Sequence, residues 1–377
     1  MSGSTGSRSV RGRRRTKAAA AGAVLLALAG SFGAWMASRA PAPAQVQFTA
    51  APRARPPPPA PPPALQTRLE ALTAAYGEPI GVAVTDVAAG WTAQVDGQSV
   101  YPQQSVVKLW VALAVMDAVD RGLLRLDQPV LLTRQDRSVF YQPLGARIGP
   151  QGYATTVEDL LRHSLIESDN TANDKLLEVA GGAGVVSAVL ARKGITGIEV
   201  GGPERILQAK TAGLEWRPEL AGWRFKEARA KLPDAVRDQA LDAYLAAPPD
   251  GAQPLALTRA LAALHHGELL SETSTAVLIG VMSEARTGGQ RLRAGLAPGW
   301  AIAHKTGTGP DWRGASVGIN DVGLITAPDG RAYAVAVMMR ETRKPVPQRL
   351  ALMQRVSRAV VEHWRAEAGK DGASAKS

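Results

Sequence analysis

Ser105 and Lys108 stand three residues apart in SVVKLWVALAVMDAVD, an otherwise apolar stretch of helical character. Residues at i and i+3 share a helix face, so a hydroxyl and an amine meet there. A lysine partly desolvated at a helix start can lose its proton and serve as a base toward the serine. This is the only Ser-x-x-Lys in the chain. Taken alone, it equally fits a capped core helix. A second polar group is ESDNTAND (167–174), where Ser168, Asp169 and Asn170 separate the helical runs TVEDLLRHSLI and DKLLEVAG. Side chains of these types cap helix N-termini, and at least one is expected to do so. The third is HKTGTG (304–309), with apolar neighbours on a strand. There a lysine, two threonines and backbone N–H groups can face an anionic substrate, or can form a solvated strand end.

The rest of the composition narrows the chemistry. The 377 residues carry no cysteine, which excludes disulfides, thiolate metal sites and cysteine nucleophiles. The five histidines (His163, His265, His266, His304, His363) show no metal-ligand spacing, and His265–His266 reads as a surface or helix-end pair. The net charge of +11 suggests nucleic acid until it is located. Nine of the 44 Lys/Arg lie in residues 1–64, which hold no Asp or Glu. The remainder balances 35 basic against 33 acidic residues, so no nucleic-acid partner is expected.

RGRRRTK (11–17) precedes AAAAGAVLLALAGSFGAWMA (18–37) and small residues near 42–45. This is the pattern of an export signal over residues 1–44, cleaved or retained as a membrane tether through 18–37. The proline-rich stretch 45–64 reads as a stiff spacer. The expected location is periplasmic, or tethered and facing the cell wall.

From about residue 65 the pattern is that of an α+β domain ending near 368, with a disordered tail over 369–377. LQTRLEALTAAYG is an amphipathic helix ending at Gly77, and PIGVAVTDVAAGWTAQVDGQ alternates as two strands. A helical region follows over about 103–285. Strands AIAHKTGT, SVGINDVGLITA and RAYAVAVMMRE come next, the last two joined by the turn PDG, before a final amphipathic helix over 347–366. The expectation is one antiparallel sheet built from both ends of the chain, flanked by terminal helices, with an all-helical subdomain inserted.

Ser-x-x-Lys, Ser-Asp-Asn and Lys-Thr-Gly, in this order, resemble the signature of class A β-lactamases and penicillin-binding proteins. The resemblance spans about 66–366 and takes in GELLS (267–271) and LAPGW before the KTG strand. It implies that Ser105 is acylated by a β-lactam or a peptidoglycan stem peptide. Lys108, or a glutamate acting through water, would take the serine proton. Ser168 would relay a proton to the departing nitrogen, helped by Lys305. Asn170 would bind the substrate's side-chain amide and Lys108. Thr306 and Thr308 would hold the substrate carboxylate. The backbone N–H groups of Ser105 and Thr308 would form the oxyanion hole, and Tyr141 would line the entrance. No metal or organic cofactor is implied, and a monomer is expected.

A lactamase also needs a glutamate to activate the hydrolytic water, with an amide four residues later. Counting from Ser168 without a gap places these at Glu204 and Gln208 in VGGPERILQAK. EWRPELAG (215–222) competes, but puts Arg217 at the base position, and an arginine cannot be a base. Pro203 precedes Glu204, whereas in the family a proline follows this glutamate. Roughly 33 residues are inserted between about 209 and 250, close enough to reshape or cover the pocket. The family's substrate-carboxylate arginine is replaced by Asn320 on the strand, which leaves Arg291, on the expected helix before the KTG strand, as the candidate cation. The reading is a serine β-lactamase. A DD-peptidase or a non-catalytic cell-wall binding protein would use the same fold.

Overall fold

The computed structural model describes residues 58–374. The export signal or tether of residues 1–44 and most of the spacer lie outside the described residues. Among the described residues, no helix is long and apolar enough to cross a membrane.

Helix α1 (Pro63–Tyr76) starts two residues inside the stretch read as spacer. Proline is tolerated in the first helical turn because its missing N–H would be unpaired there anyway. Gly77 ends the helix in the left-handed region at φ 74°, its N–H donating to the Thr73 carbonyl.

Strands β1 (Ile80–Asp86) and β2 (Thr92–Val95) follow as an antiparallel pair. Short strand β3 (Tyr101–Pro102) leads into a one-turn 3-10 helix, Gln104–Val107, and helix α2 (Lys108–Asp120). Helix α2 is buried on every side over its first ten residues. That is why its sequence is apolar all round rather than striped.

The inserted region is helical apart from two short ladders. Strand β4 (Pro129–Leu132) pairs with β5 (Tyr153–Thr156), ahead of helix α3 (Asn170–Val179). Helices α4 (Glu204–Thr211) and α5 (Asp234–Ala246) come next, then strand β6 (Gly251–Ala252), which pairs with β3. Pairs this short leave little trace of period two, so they do not stand out from loops in the sequence. Helices α6 (Pro254–His265) and α7 (Glu272–Ser283) complete the region.

The chain then returns to the sheet with β7 (Ala301–Gly307), β8 (Asp311–Trp312), β9 (Ala315–Thr326) and β10 (Ala332–Thr342). The main sheet has the order β2-β1-β10-β9-β7, with β8 on β9, and every pair is antiparallel. Helix α8 (Val346–Ser374) runs into the stretch read from sequence as a tail.

Both sheet faces are covered, and β10 shows how. Its Tyr333, Val335, Val337 and Met339 pack with α1 and α8, while Ala334, Ala336 and Met338 pack with the inserted helices. Alternate residues point to opposite faces, so a strand buried on both sides reads as a continuous apolar run.

Candidate active site

The start of α2, the turn before α3, the edge strand β7 and the start of α4 converge on one cluster. Lys108 Nζ donates to Ser105 Oγ at 3.1 Å, to Asn170 Oδ1 at 2.5 Å and to the Ser168 carbonyl at 2.9 Å. It lies 3.3 Å from Ser168 Oγ and 3.7 Å from Glu204 Oε1. Lys305 Nζ reaches Ser168 Oγ from the other side at 2.8 Å. The residues singled out in the three motifs and the candidate glutamate are therefore brought together.

Local backbone explains this placement. Ser168 follows a π-turn over His163–Glu167 and sits in the left-handed region at φ 63°. Asp169 caps α3, accepting from Ala172 N, while its second oxygen accepts from Leu144 N. The cap expected in ESDNTAND is thus Asp169, which leaves Ser168 and Asn170 to face Lys108. Gln104, just before Ser105, is also left-handed at φ 52°. Non-glycine residues held there cost on the order of 1 kcal/mol each and persist when surrounding contacts over-determine them.

Those contacts are specific. Gln104 N donates to Asp250 Oδ2 at 2.7 Å, and Gln104 Nε2 to the Tyr244 hydroxyl at 2.6 Å. Tyr244 in turn donates to Asp250 Oδ1 at 2.9 Å, and Gln208 Nε2 donates to Gln104 Oε1 at 2.8 Å. Nothing in the spacing of Gln104, Tyr244 or Asp250 announces this network. Its only sequence trace is the PPDG turn at 248–251, which ends the insertion.

Glu204 and Gln208 lie on one face of α4, with Gln208 Nε2 3.2 Å from Glu204 Oε2. Asp174 fixes the start of this helix by accepting from the backbone N–H groups of Glu204 and Arg205, at 2.6 and 3.2 Å. The competing stretch forms an exposed one-turn helix, Pro218–Leu220, with Arg217 exposed and paired to Glu215. It does not enter the cluster. The inserted segment instead packs behind α4, burying Phe225 against Ala209 and Tyr244 near Leu207.

The KTG strand needs its glycine for a geometric reason. A Cβ at Gly307 would come within 2.3 Å of the Gln103 carbonyl, so β7 can lie against the loop before Ser105 only with glycine there. Thr306 is buried, with its hydroxyl against Thr287 Oγ1 at 2.8 Å, and Thr308 is exposed. Arg291 is not on a helix: Gly288, at φ 73°, breaks the chain after α7, and Arg291 precedes the single turn Leu292–Gly295. Its guanidinium donates to the Gly307 and Asn320 carbonyls and, at 2.6 Å, to Thr308 Oγ1. Asn320 is fully buried and tied to the Pro102, Gln103 and Met339 backbone, so it holds the nucleophile's loop to the sheet. Tyr141 is exposed, and its carbonyl accepts from Asn170 N.

Burial dominates the electrostatics. It pushes Lys108 below the usual lysine range, against the opposing pull of Glu204, Asp169 and Asp174. It pushes Lys305 well down too, and the nearby charge of Lys108 adds to this. An anionic group placed beside Lys305 would favour its ammonium form. Burial raises Asp174 to about 6 and Asp250 to about 7. The cluster thus presents the Ser105 hydroxyl against a lysine shifted toward its neutral form, a second lysine beside the Ser168 hydroxyl, and a buried carboxylate in reach of both lysine and amide.

Residues 64–364 match the family model described as the Beta-lactamase enzyme family. The chain is 28% identical to Beta-lactamase VEB-1 of Pseudomonas aeruginosa, across 74% of this chain and 83% of that protein. It is 27% identical to the extended-spectrum beta-lactamase PER-1 of the same organism, across 80% and 87%. Among solved structures, an ancestral class A beta-lactamase superposes with a TM-score of 0.61 at 30% identity, over 79% of this chain and 99% of that one.

Proposed function

This chain belongs to the beta-lactamase enzyme family, and we propose that it is a serine β-lactamase that opens the lactam amide through an acyl-enzyme on Ser105. The observation that carries the reading is the position of Glu204: its Oε1 lies 3.7 Å from Lys108 Nζ and is buried, accepting no hydrogen bond from the described residues. A buried carboxylate oxygen left without a donor is costly unless something else uses it. A hydrolytic water is the natural user.

In acylation, the Ser105 hydroxyl attacks the lactam carbonyl and Lys108, 3.1 Å away, takes its proton. The backbone N–H groups of Ser105 and Thr308 stabilise the oxyanion. Lys108 passes the proton through Ser168 Oγ to the lactam nitrogen as the C–N bond breaks. Lys305, 2.8 Å from that hydroxyl, lowers the cost of charge developing on it. Thr308 and Arg291 receive the substrate carboxylate, and its charge favours the ammonium form of Lys305. Asn170 orients the side-chain amide. In deacylation, Glu204 takes a proton from water, the hydroxide attacks the ester, and that proton passes from Glu204 through Lys108, 3.7 Å away, to the departing Ser105 oxygen. We further propose, from residues 1–44, that the enzyme acts outside the cytoplasm, where its substrates arrive.

The test is intact-protein mass spectrometry of the chain mixed with a chromogenic cephalosporin, with colour followed in parallel. Rapid colour with little adduct is expected. A lasting adduct on Ser105 after one burst of colour would overturn the deacylation role of Glu204.

A further inference from the structure

Beside the catalytic cluster lies a cleft of about 870 Å³, walled by the segments 134–146 and 218–226. Four cations line it, Arg134, Arg137, Arg224 and Lys226, against the single carboxylate of Glu219. The flanking ion pairs, Arg217 with Glu215 and Lys231 with Glu227, leave Arg224 and Lys226 out. Arg137 donates to the Ile148 carbonyl, and its Nε is buried without a partner. Two large aromatic side chains stand open on the same walls: Trp223 is 69% exposed and Tyr141 58% exposed. Large aromatics left this bare beside uncompensated positive charge mark a binding surface more than a resting one.

The cleft adjoins the catalytic site at one short segment. The short segment Ser138–Gln142 is shared between them. On one side Gly222 N donates to the Ser138 carbonyl at 3.1 Å, which docks the inserted segment. On the other, Asn170 Nδ2 donates to the Val139 carbonyl at 2.9 Å and Asn170 N to the Tyr141 carbonyl at 3.0 Å. In the proposed reaction Asn170 reads the amide that carries the substrate's acyl side chain. Tyr141, whose carbonyl Asn170 holds, also lines the cleft, so the residue that would read the amide and the cleft meet at one position.

We propose that this cleft is an extended subsite for an acyl side chain that carries an aromatic ring and, beyond it, a carboxylate. The ring stacks on Trp223 or Tyr141, and the carboxylate meets the Arg224 and Lys226 charges. The proposal deepens the β-lactamase reading and rests on it.

Two cephalosporins differing by one group test it: one with a phenylacetyl side chain, one with a 4-carboxyphenylacetyl side chain. The quantity read is the ratio of kcat/KM for the carboxylated over the plain compound. In the parent this ratio is expected above one, falling with added salt because the pairs are open to solvent. In the double variant Arg224→Glu with Lys226→Glu it should drop about tenfold, mainly through KM, the order that two exposed charge pairs supply. Both side chains are exposed, so the exchange removes no buried packing, only the Arg224 guanidinium from over the Trp223 ring. An equal ratio in parent and variant overturns the subsite while leaving the hydrolase reading untouched. Adduct without turnover would move the same ratio to acylation rates. No reaction with either compound overturns the hydrolase reading, and the subsite with it.

Discussion

Gln208 Nε2 donates to Gln104 Oε1 across 2.8 Å, joining the helix that carries Glu204 to the residue before Ser105. The group that would deacylate and the group that would be acylated are therefore held by one buried hydrogen bond. Gln104 is itself anchored by Tyr244 and Asp250, so the strained backbone before the nucleophile rests on the end of the insertion.

Glu204→Gln keeps the size of the side chain and removes the base. Acylation of Ser105 is expected to persist, while deacylation falls by ~10²- to 10⁴-fold, the usual worth of a positioned general base. Mass spectrometry should show the adduct accumulating after a burst of one product per enzyme.

Lys108→Arg retains a positive charge but cannot give up its proton. Acylation should fall by about 10²-fold or more. In the parent, kcat/KM should rise with pH through the lowered pKa of Lys108, because only the neutral amine accepts the serine proton. A pH profile for the parent without this rising limb would show that Lys108 is not the base.

Asp250 supplies a pH test of the fold. Its carboxyl is raised by burial from 3.8 to about 7, so between those values the folded chain holds a proton that the unfolded chain has lost. Its contribution to stability is complete below that window and disappears as pH rises through about 7. Asp250→Asn should flatten a slope of up to ~1.4 kcal/mol per pH unit, measured by urea unfolding at several pH values. Identical slopes for the two proteins would remove Asp250 as the cause.

Tyr244→Phe strips one donor from Asp250 and the acceptor of Gln104 Nε2. Leaving buried polar groups unpaired should cost about 1–3 kcal/mol in unfolding free energy. Deacylation should slow more than acylation, because Gln104 then holds Gln208 less firmly. Single-turnover kinetics separates the two steps.

Gly307→Ala places a methyl group 2.3 Å from the Gln103 carbonyl, a backbone atom that cannot swing aside. A loss of about 1–3 kcal/mol is expected from the forced shift of β7 or the nucleophile's loop. Thermal unfolding and the acylation rate should fall together.

Much of this site was legible from the chain alone. Ser105 with Lys108, and Glu204 with Gln208, are pairs set by helical spacing, and helical spacing is local. Five of the six strands of the main sheet announced themselves by apolar or alternating runs, the two-residue β8 did not, and Gly77 and the PDG turn marked where elements end. The ladders β3–β6 and β4–β5 did not, because two to four residues carry too little pattern. The placement of Arg291 off a helix followed from Gly288 adopting a positive φ, which composition does not reveal.

Sequence by itself determined which side chains could act: a serine and lysine one turn apart, a capped polar turn, a strand lysine, and a carboxylate with its amide. Tertiary structure alone brings Glu204, and not the EWRPEL stretch, into the cluster. It did so because α4 packs its start on Asp174 and its Gln208 on Gln104, while Arg217 stays in solvent. It also decided the direction in which each lysine is shifted, since burial depends on groups distant in the chain, Ser168 and Glu204 for Lys108 and Lys108 for Lys305, folding over it. Distances between elements, and the water they exclude, come from packing the whole chain, and no local pattern carries them.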